Sequence, residues 1–143
     1  MSSALVHRIL LAEDNPGDVL LFREALRVSK LVHELTVAED GEKALRLLEK
    51  AGTPGNMPPP DLVVLDINLP KHSGQEVLRW LRGTPALAAV PVIILTSSAS
   101  PDDKTAATEL GADLYVQKSS DLDEIFQIGF TVQDLLNRKV SDA

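Results

Sequence analysis

Short uninterrupted apolar runs alternate along this chain with longer segments whose apolar residues recur every three or four positions. RILLA (8–12), DLVVLD (61–66) and VPVIILT (90–96) are Leu, Ile and Val runs of strand length, the pattern of parallel strands buried on both faces. HELTVA (33–38) alternates apolar with polar and ADLYVQK (112–118) supplies a fifth strand. Between them lie five helical segments. NPGD (15–18) opens the first, with Asn15 as cap, Pro16 at the first helical position and Asp18 near the positive end of the helix dipole. Residues 39–50 give the second helix, beginning near Gly41, and QEVLRWLRG (75–83) the third, closed by Gly83 with Pro85 beyond it. Pro101 starts a fourth that stops at Gly111, and residues 121–138 form the last. The segment AGTPGNMPPP (51–60) is too rich in Pro and Gly for regular structure and is expected to be the least ordered internal stretch.

Five strand-then-helix units predict an α/β fold, a doubly wound five-stranded parallel sheet with helices on both faces. The strand order 2-1-3-4-5, flavodoxin-like, fits five units, and it puts a ligand site outside the carboxyl ends of strands one and three. Chemistry is concentrated there. The first strand ends on Glu13-Asp14 and the third on Asp66, while Thr96 and Lys118 end strands four and five on the same edge.

Carboxylates gathered at one edge raise each other's pKa unless a cation or basic group neutralises them. Magnesium fits best, because it takes oxygen ligands and is held by one or two carboxylates together with a phosphoryl group. No His/Cys set suggests zinc. With a cation in place a carboxylate can attack phosphorus, and Lys118, Thr96 and the polar run TSSAS (96–100) could stabilise the charge that develops on the phosphoryl oxygens.

Composition narrows the partners. A formal charge of −7 with no basic cluster argues against nucleic acid. The absence of cysteine excludes disulfides and thiol chemistry and fits a reducing compartment. Apolar runs of four to six residues cannot span a bilayer, so a cytoplasmic protein without a membrane segment is expected.

With these residues in view the chain resembles the receiver domain of two-component response regulators, over roughly residues 7–138. The resemblance rests on Glu13-Asp14, Asp66, the LDINLPKHSG loop with Gly74, Thr96 in ILTSS, Tyr115 and Lys118. It implies that Asp66 takes a phosphoryl group from a sensor histidine kinase. It implies further that Asp14, Asp66 and the Asn68 backbone carbonyl bind Mg²⁺ directly and Glu13 through water. Lys118 and Thr96 would contact the phosphoryl oxygens, with Thr96 and Tyr115 moving together as a switch. DNPGD, DINLP and the loop before the third strand look like the single-domain regulators that partner bacterial phytochrome-type kinases. Residues 1–143 are then expected to be one receiver domain with short polar tails and no effector domain, a phosphoacceptor rather than an enzyme in the ordinary sense. The sequence departs from the family at Ser119, where most receivers carry a proline in a cis peptide. A non-proline cis bond costs about 2.5–4 kcal/mol, which predicts a trans bond, an altered loop and a shifted lysine. Ser119 also supplies the alternative, a pseudo-receiver that serves as a binding scaffold with a dead site.

Other features have simpler explanations. Capping accounts for Asn15 and Asp18, His7, His33 and His72 are expected on the surface, and Trp80 packs beside Val77 and Leu81. In the last helix Leu122, Ile125, Phe126, Gly129, Val132 and Leu136 make a core stripe, with Ile128, Phe130 and Leu135 outside it. This apolar arc of roughly 220° is wider than one sheet face needs and predicts a homodimer or partner contact through residues 101–138. A flavin carrier is disfavoured because EDNPGD would repel the flavin phosphate. A phosphatase of the haloacid-dehalogenase type is disfavoured because position 68 is Asn rather than Asp.

Overall fold

Apolar runs that alternate inward on both sides need helices on both sides, and the computed structural model supplies them. It describes residues 6–51, 53, 55 and 58–141; four residues of the Pro/Gly segment, 52, 54, 56 and 57, lie outside the described residues, and so does most of each tail. In chain order the elements are β1 (His7–Ala12), α1 (Pro16–Val28), β2 (His33–Ala38), α2 (Gly41–Ala51) and β3 (Leu62–Leu65). They continue with α3 (Gly74–Arg82), β4 (Val92–Thr96), α4 (Pro101–Glu109), β5 (Leu114–Gln117) and α5 (Leu122–Ser141). The strands form one five-stranded sheet in the order β2-β1-β3-β4-β5, with every neighbouring pair parallel.

Period-two alternation sorts the strand residues into two cores. Leu10, Ala12, Val63, Leu65, Val92 and Ile94 pack with Leu48, Val77, Leu78 and Leu81 of α2 and α3. Ile9, Leu11, Leu62, Val64, Ile93 and Leu95 face the other way, onto Phe22 and Leu26 of α1 and Val132, Leu135 and Leu136 of α5. A slip of one residue in any central strand would exchange these two sets, so burial on both faces fixes the register that brings the strand ends level.

Local chemistry sets the element ends, with the predicted Asn15 cap in place. The Asn15 side chain accepts from the Gly17 and Asp18 N–H groups at 2.9 and 3.1 Å, and Ser73 and Ser100 cap α3 and α4. Arg82 has a tying role that its sequence position does not announce. Its guanidinium donates to the carbonyls of Ala88, Val90 and Gly111 and pairs with Asp113, joining the end of α3 to the segments that lead into β4 and β5.

Two expectations need correction. His7 opens β1 in register with His33 and is only 7% exposed, because the strand starts one residue earlier than the apolar run does. His33 and His72 are half-buried. In α5 Ile125, Gly129, Val132 and Leu136 of the predicted stripe are buried, but Leu135 is buried as well and Leu122 is 56% exposed. The helix packs on α1 as well as on the sheet, so Leu135 joins the core with Phe22 and Leu26, and at Gly129, inside the predicted stripe, an added Cβ would run into the Ala25 carbonyl of α1. That glycine lets α1 and α5 approach backbone to backbone, and their contact fixes which side of α5 faces inward.

Candidate functional site

β1, β3 and β4 are central strands, so their carboxyl ends open side by side into one shallow site. Glu13 follows β1, with its N–H bound to the Ala38 carbonyl, and its side chain is buried. Asp14 is exposed beside it. Asp66 follows β3, is buried, and donates its N–H to the Ala12 carbonyl at 3.1 Å. One oxygen from each of Glu13, Asp14 and Asp66 lies within 4.8 Å of the others. This is the acid cluster that the strand ends predict, and three hard oxygen ligands suit a divalent cation such as Mg²⁺ better than a thiophilic metal.

Lys118 follows β5, and its N–H donates to the Thr96 carbonyl at 2.7 Å. Its ammonium lies 2.6 Å from Glu13 Oε1, 2.8 Å from Asp18 Oδ2 and 2.8 Å from Asp66 Oδ2. The Lys118–Ser119 bond is trans, as expected from Ser119, and the lysine reaches Asp66 all the same. The expectation of a displaced lysine does not hold for this contact.

Burial and hydrogen bonding divide the charges. Burial alone would push the Asp66 carboxyl up, but hydrogen bonds from Lys118, the Asn68 N–H and the Thr96 hydroxyl outweigh it and hold Asp66 below the usual carboxylate range. Burial pushes Glu13 up, and its bonds from Lys118 and the Asn15 N–H only partly offset this. For Lys118, burial favours the neutral amine, yet the bonds to Asp18, Asp66 and Glu13 win and raise it above its ordinary value. At neutral pH Asp66 is therefore a carboxylate facing an ammonium, the state a nucleophilic oxygen needs.

The loop after Asp66 is shaped by glycine. Gly74 donates its N–H to the Ile67 carbonyl at 3.0 Å, and a Cβ at this position would overlap the Asp66 carbonyl. Asn68 sits in this loop with its N–H 3.1 Å from Asp66 Oδ1 and its side chain exposed. Thr96 is fully buried at the end of β4, with its hydroxyl accepting from the Ser98 N–H at 3.3 Å. Tyr115 is half-buried, and its hydroxyl donates to the Ser98 carbonyl at 3.1 Å. Ser98 thus links Thr96 to Tyr115.

Every residue expected in the site from sequence lies at this edge or on the Ser98 link to it. The residue missed is Asp18, assigned to helix capping alone although it also pairs with Lys118. A signal was available: α1 begins where β1 ends, so an acid in its first turn sits over the same edge as Glu13-Asp14.

The response regulator receiver domain model matches residues 9–128. Response regulator Rcp1 of Synechocystis sp. is 41% identical over 120 residues, covering 84% of this chain and 82% of that protein. Among solved structures, the phosphorylated cyanobacterial phytochrome response regulator RcpA superposes with a TM-score of 0.83 at 36% identity, over 97% of each chain. The Mn²⁺-bound form of Rcp1 gives 0.79 at 38% identity, over 89% of this chain and 91% of that one. No helix among the described residues is long and apolar enough to cross a membrane. With its 2-1-3-4-5 parallel sheet and an acidic pocket facing a lysine at the strand ends, the chain belongs to the response regulator receiver domain family.

Proposed function

We propose that this chain is a single-domain response regulator, residues 1–143, whose Asp66 accepts a phosphoryl group from a sensor histidine kinase in a Mg²⁺-dependent reaction. The observation that carries the proposal is the Asp66 carboxylate held ionised 2.8 Å from the Lys118 ammonium inside a three-acid cluster. Asp66 attacks phosphorus, a P–O bond forms as the P–N bond to the donor imidazole breaks, and the imidazole nitrogen leaves with the electron pair. Before attack Lys118 holds Asp66 Oδ2 and the Asn68 N–H holds Oδ1, so both carboxylate oxygens are oriented by the site. Asp14, Asp66 and the Asn68 backbone carbonyl, with Glu13 beside them, would hold the cation. When bound it neutralises charge on the transferring phosphoryl oxygens.

Lys118 and the Thr96 hydroxyl are the protein's donors to the phosphoryl group. The Thr96 hydroxyl accepts from the Ser98 N–H, and Tyr115 shares Ser98 through its carbonyl; a switch that moves Thr96 and Tyr115 together is supported by that link. Similarity to RcpA, a cyanobacterial phytochrome response regulator, supports a phytochrome-type kinase as the donor, with this chain in the cytoplasm. A homodimer through residues 101–138 belongs to the same proposal and is supported by Leu122 and Phe130, 56% and 44% exposed on α5.

Incubation with acetyl phosphate and Mg²⁺, read by intact mass, tests the phosphoacceptor. One phosphoryl adduct is expected, absent from Asp66→Asn and absent with chelator. Undiminished labelling of Asp66→Asn would overturn the assignment, and no adduct on the native chain would favour the pseudo-receiver scaffold. Size-exclusion elution as a strict monomer, with and without phosphorylation, would remove the dimer.

A further inference from the structure

We infer that Asp18 is a positioning residue for Lys118, holding its ammonium in the site while Glu13 and Asp66 are engaged with other groups. This inference rests on the phosphoacceptor function proposed above.

An ammonium has three N–H donors and no acceptor, and here they face three carboxylates, Glu13, Asp18 and Asp66. Two of these belong to the cluster that can share a cation, and Asp18 does not. Asp18 is therefore the partner that remains to Lys118 when the oxygens of Glu13 and Asp66 are committed elsewhere.

The carboxylate is well placed for this. Its backbone is pinned in the first turn of α1, where its N–H donates to the Asn15 side chain. Asp18 and Lys118 flank a pocket whose apolar walls are Leu21, Phe22, Leu95 and Ile128, so the pair is less screened than one in open solvent. Lys118 needs such a restraint. The bond from its N–H to Thr96 fixes only the backbone, and four rotatable carbons separate that point from the charge. Without Asp18 an ammonium released by the cluster carboxylates would be free to swing toward water, and the geometry for phosphoryl transfer would be lost more often than kept.

A double-mutant cycle on the full chain tests this, with acetyl phosphate labelling at saturating Mg²⁺ and calorimetric Mg²⁺ binding as separate readouts. Asp18→Ala is expected to slow labelling about tenfold, less than the ~10²–10³ lost with a direct donor, and to leave Mg²⁺ affinity within about twofold of native because Asp18 is outside the cluster. Asp18→Asn, close to isosteric, controls for folding and should stay slow because it lacks the charge. Asp18→Glu should recover part of the rate. Adding Asp18→Ala to Lys118→Ala should cost nothing more. Native-rate labelling of Asp18→Ala, or a full tenfold further loss in the Lys118→Ala background, would overturn the positioning role while leaving the phosphoacceptor intact. A native chain that takes up no phosphoryl group would overturn both.

Discussion

Two lysines, Lys118 and Lys71, sit at the same edge of the sheet, and each faces more than one carboxylate, yet only Lys118 is placed for chemistry. The Lys118 ammonium makes its three contacts at 2.6 to 2.8 Å with its side chain 18% exposed. Lys71 lies 3.0 Å from Glu42 and 3.8 Å from Asp40 with its side chain 58% exposed. Hydrogen bonding to Glu42 raises Lys71 as the contacts of Lys118 raise it, so the direction of the shift does not separate the two. Burial does. Water and salt screen the Lys71 pair to a small net interaction, whereas Lys118 sits among buried acids where an unpaired charge is costly. The same residue types therefore make a surface clasp between α2 and the β3–α3 loop in one place and a charge-stabilising donor in the other.

The largest test of that contrast is to remove each ammonium in turn. Lys118→Ala should slow labelling of Asp66 by acetyl phosphate on the order of 10²-fold or more, and Lys71→Ala should leave the rate unchanged. Next in size is Gly74→Ala. Its Cβ has no room against the Asp66 carbonyl, so the loop must shift, at a cost of about 1–3 kcal/mol in urea denaturation, and Mg²⁺ affinity should fall with it. Gly129→Ala meets the Ala25 carbonyl and should cost a similar ~1–3 kcal/mol. Mg²⁺ binding should survive, because the strain lies between α1 and α5 and away from the strand ends. Asn15→Ala removes a cap with two N–H partners and should cost about 1 kcal/mol. It should also slow labelling slightly, since the same turn carries Asp18. The smallest effect is Lys71→Ala on stability, where no change in the urea midpoint is expected.

Much of this structure was legible in the residues because the fold repeats one local rule. Runs such as LVVL and VIIL have to be buried on both faces, and an acid, Thr or Lys that stops such a run has to lie at the carboxyl edge. That placed Glu13, Asp14, Asp66, Thr96 and Lys118 together without knowledge of any contact. Asp18 escaped because capping already explained it, and its second partner is 100 residues away in sequence. The facing of α5 escaped for a related reason. Periodicity finds an apolar arc but not what covers its margins: contact with α1 as well as with the sheet buries Leu135, while Leu122 at the start of the helix is exposed. His7 was misplaced because a strand can begin on a polar residue when its N–H has a partner, here the Val32 carbonyl.

The most direct measurement is chemical mapping of the phosphorylated residue. Borohydride reduction after labelling with acetyl phosphate and Mg²⁺ converts an aspartyl phosphate to homoserine, which peptide mass spectrometry locates. Homoserine at position 66 alone is the expected result. Homoserine at Asp14 or Asp18, or an intact Asp66 in a fully labelled sample, would contradict the assignment of Asp66 as the phosphoacceptor.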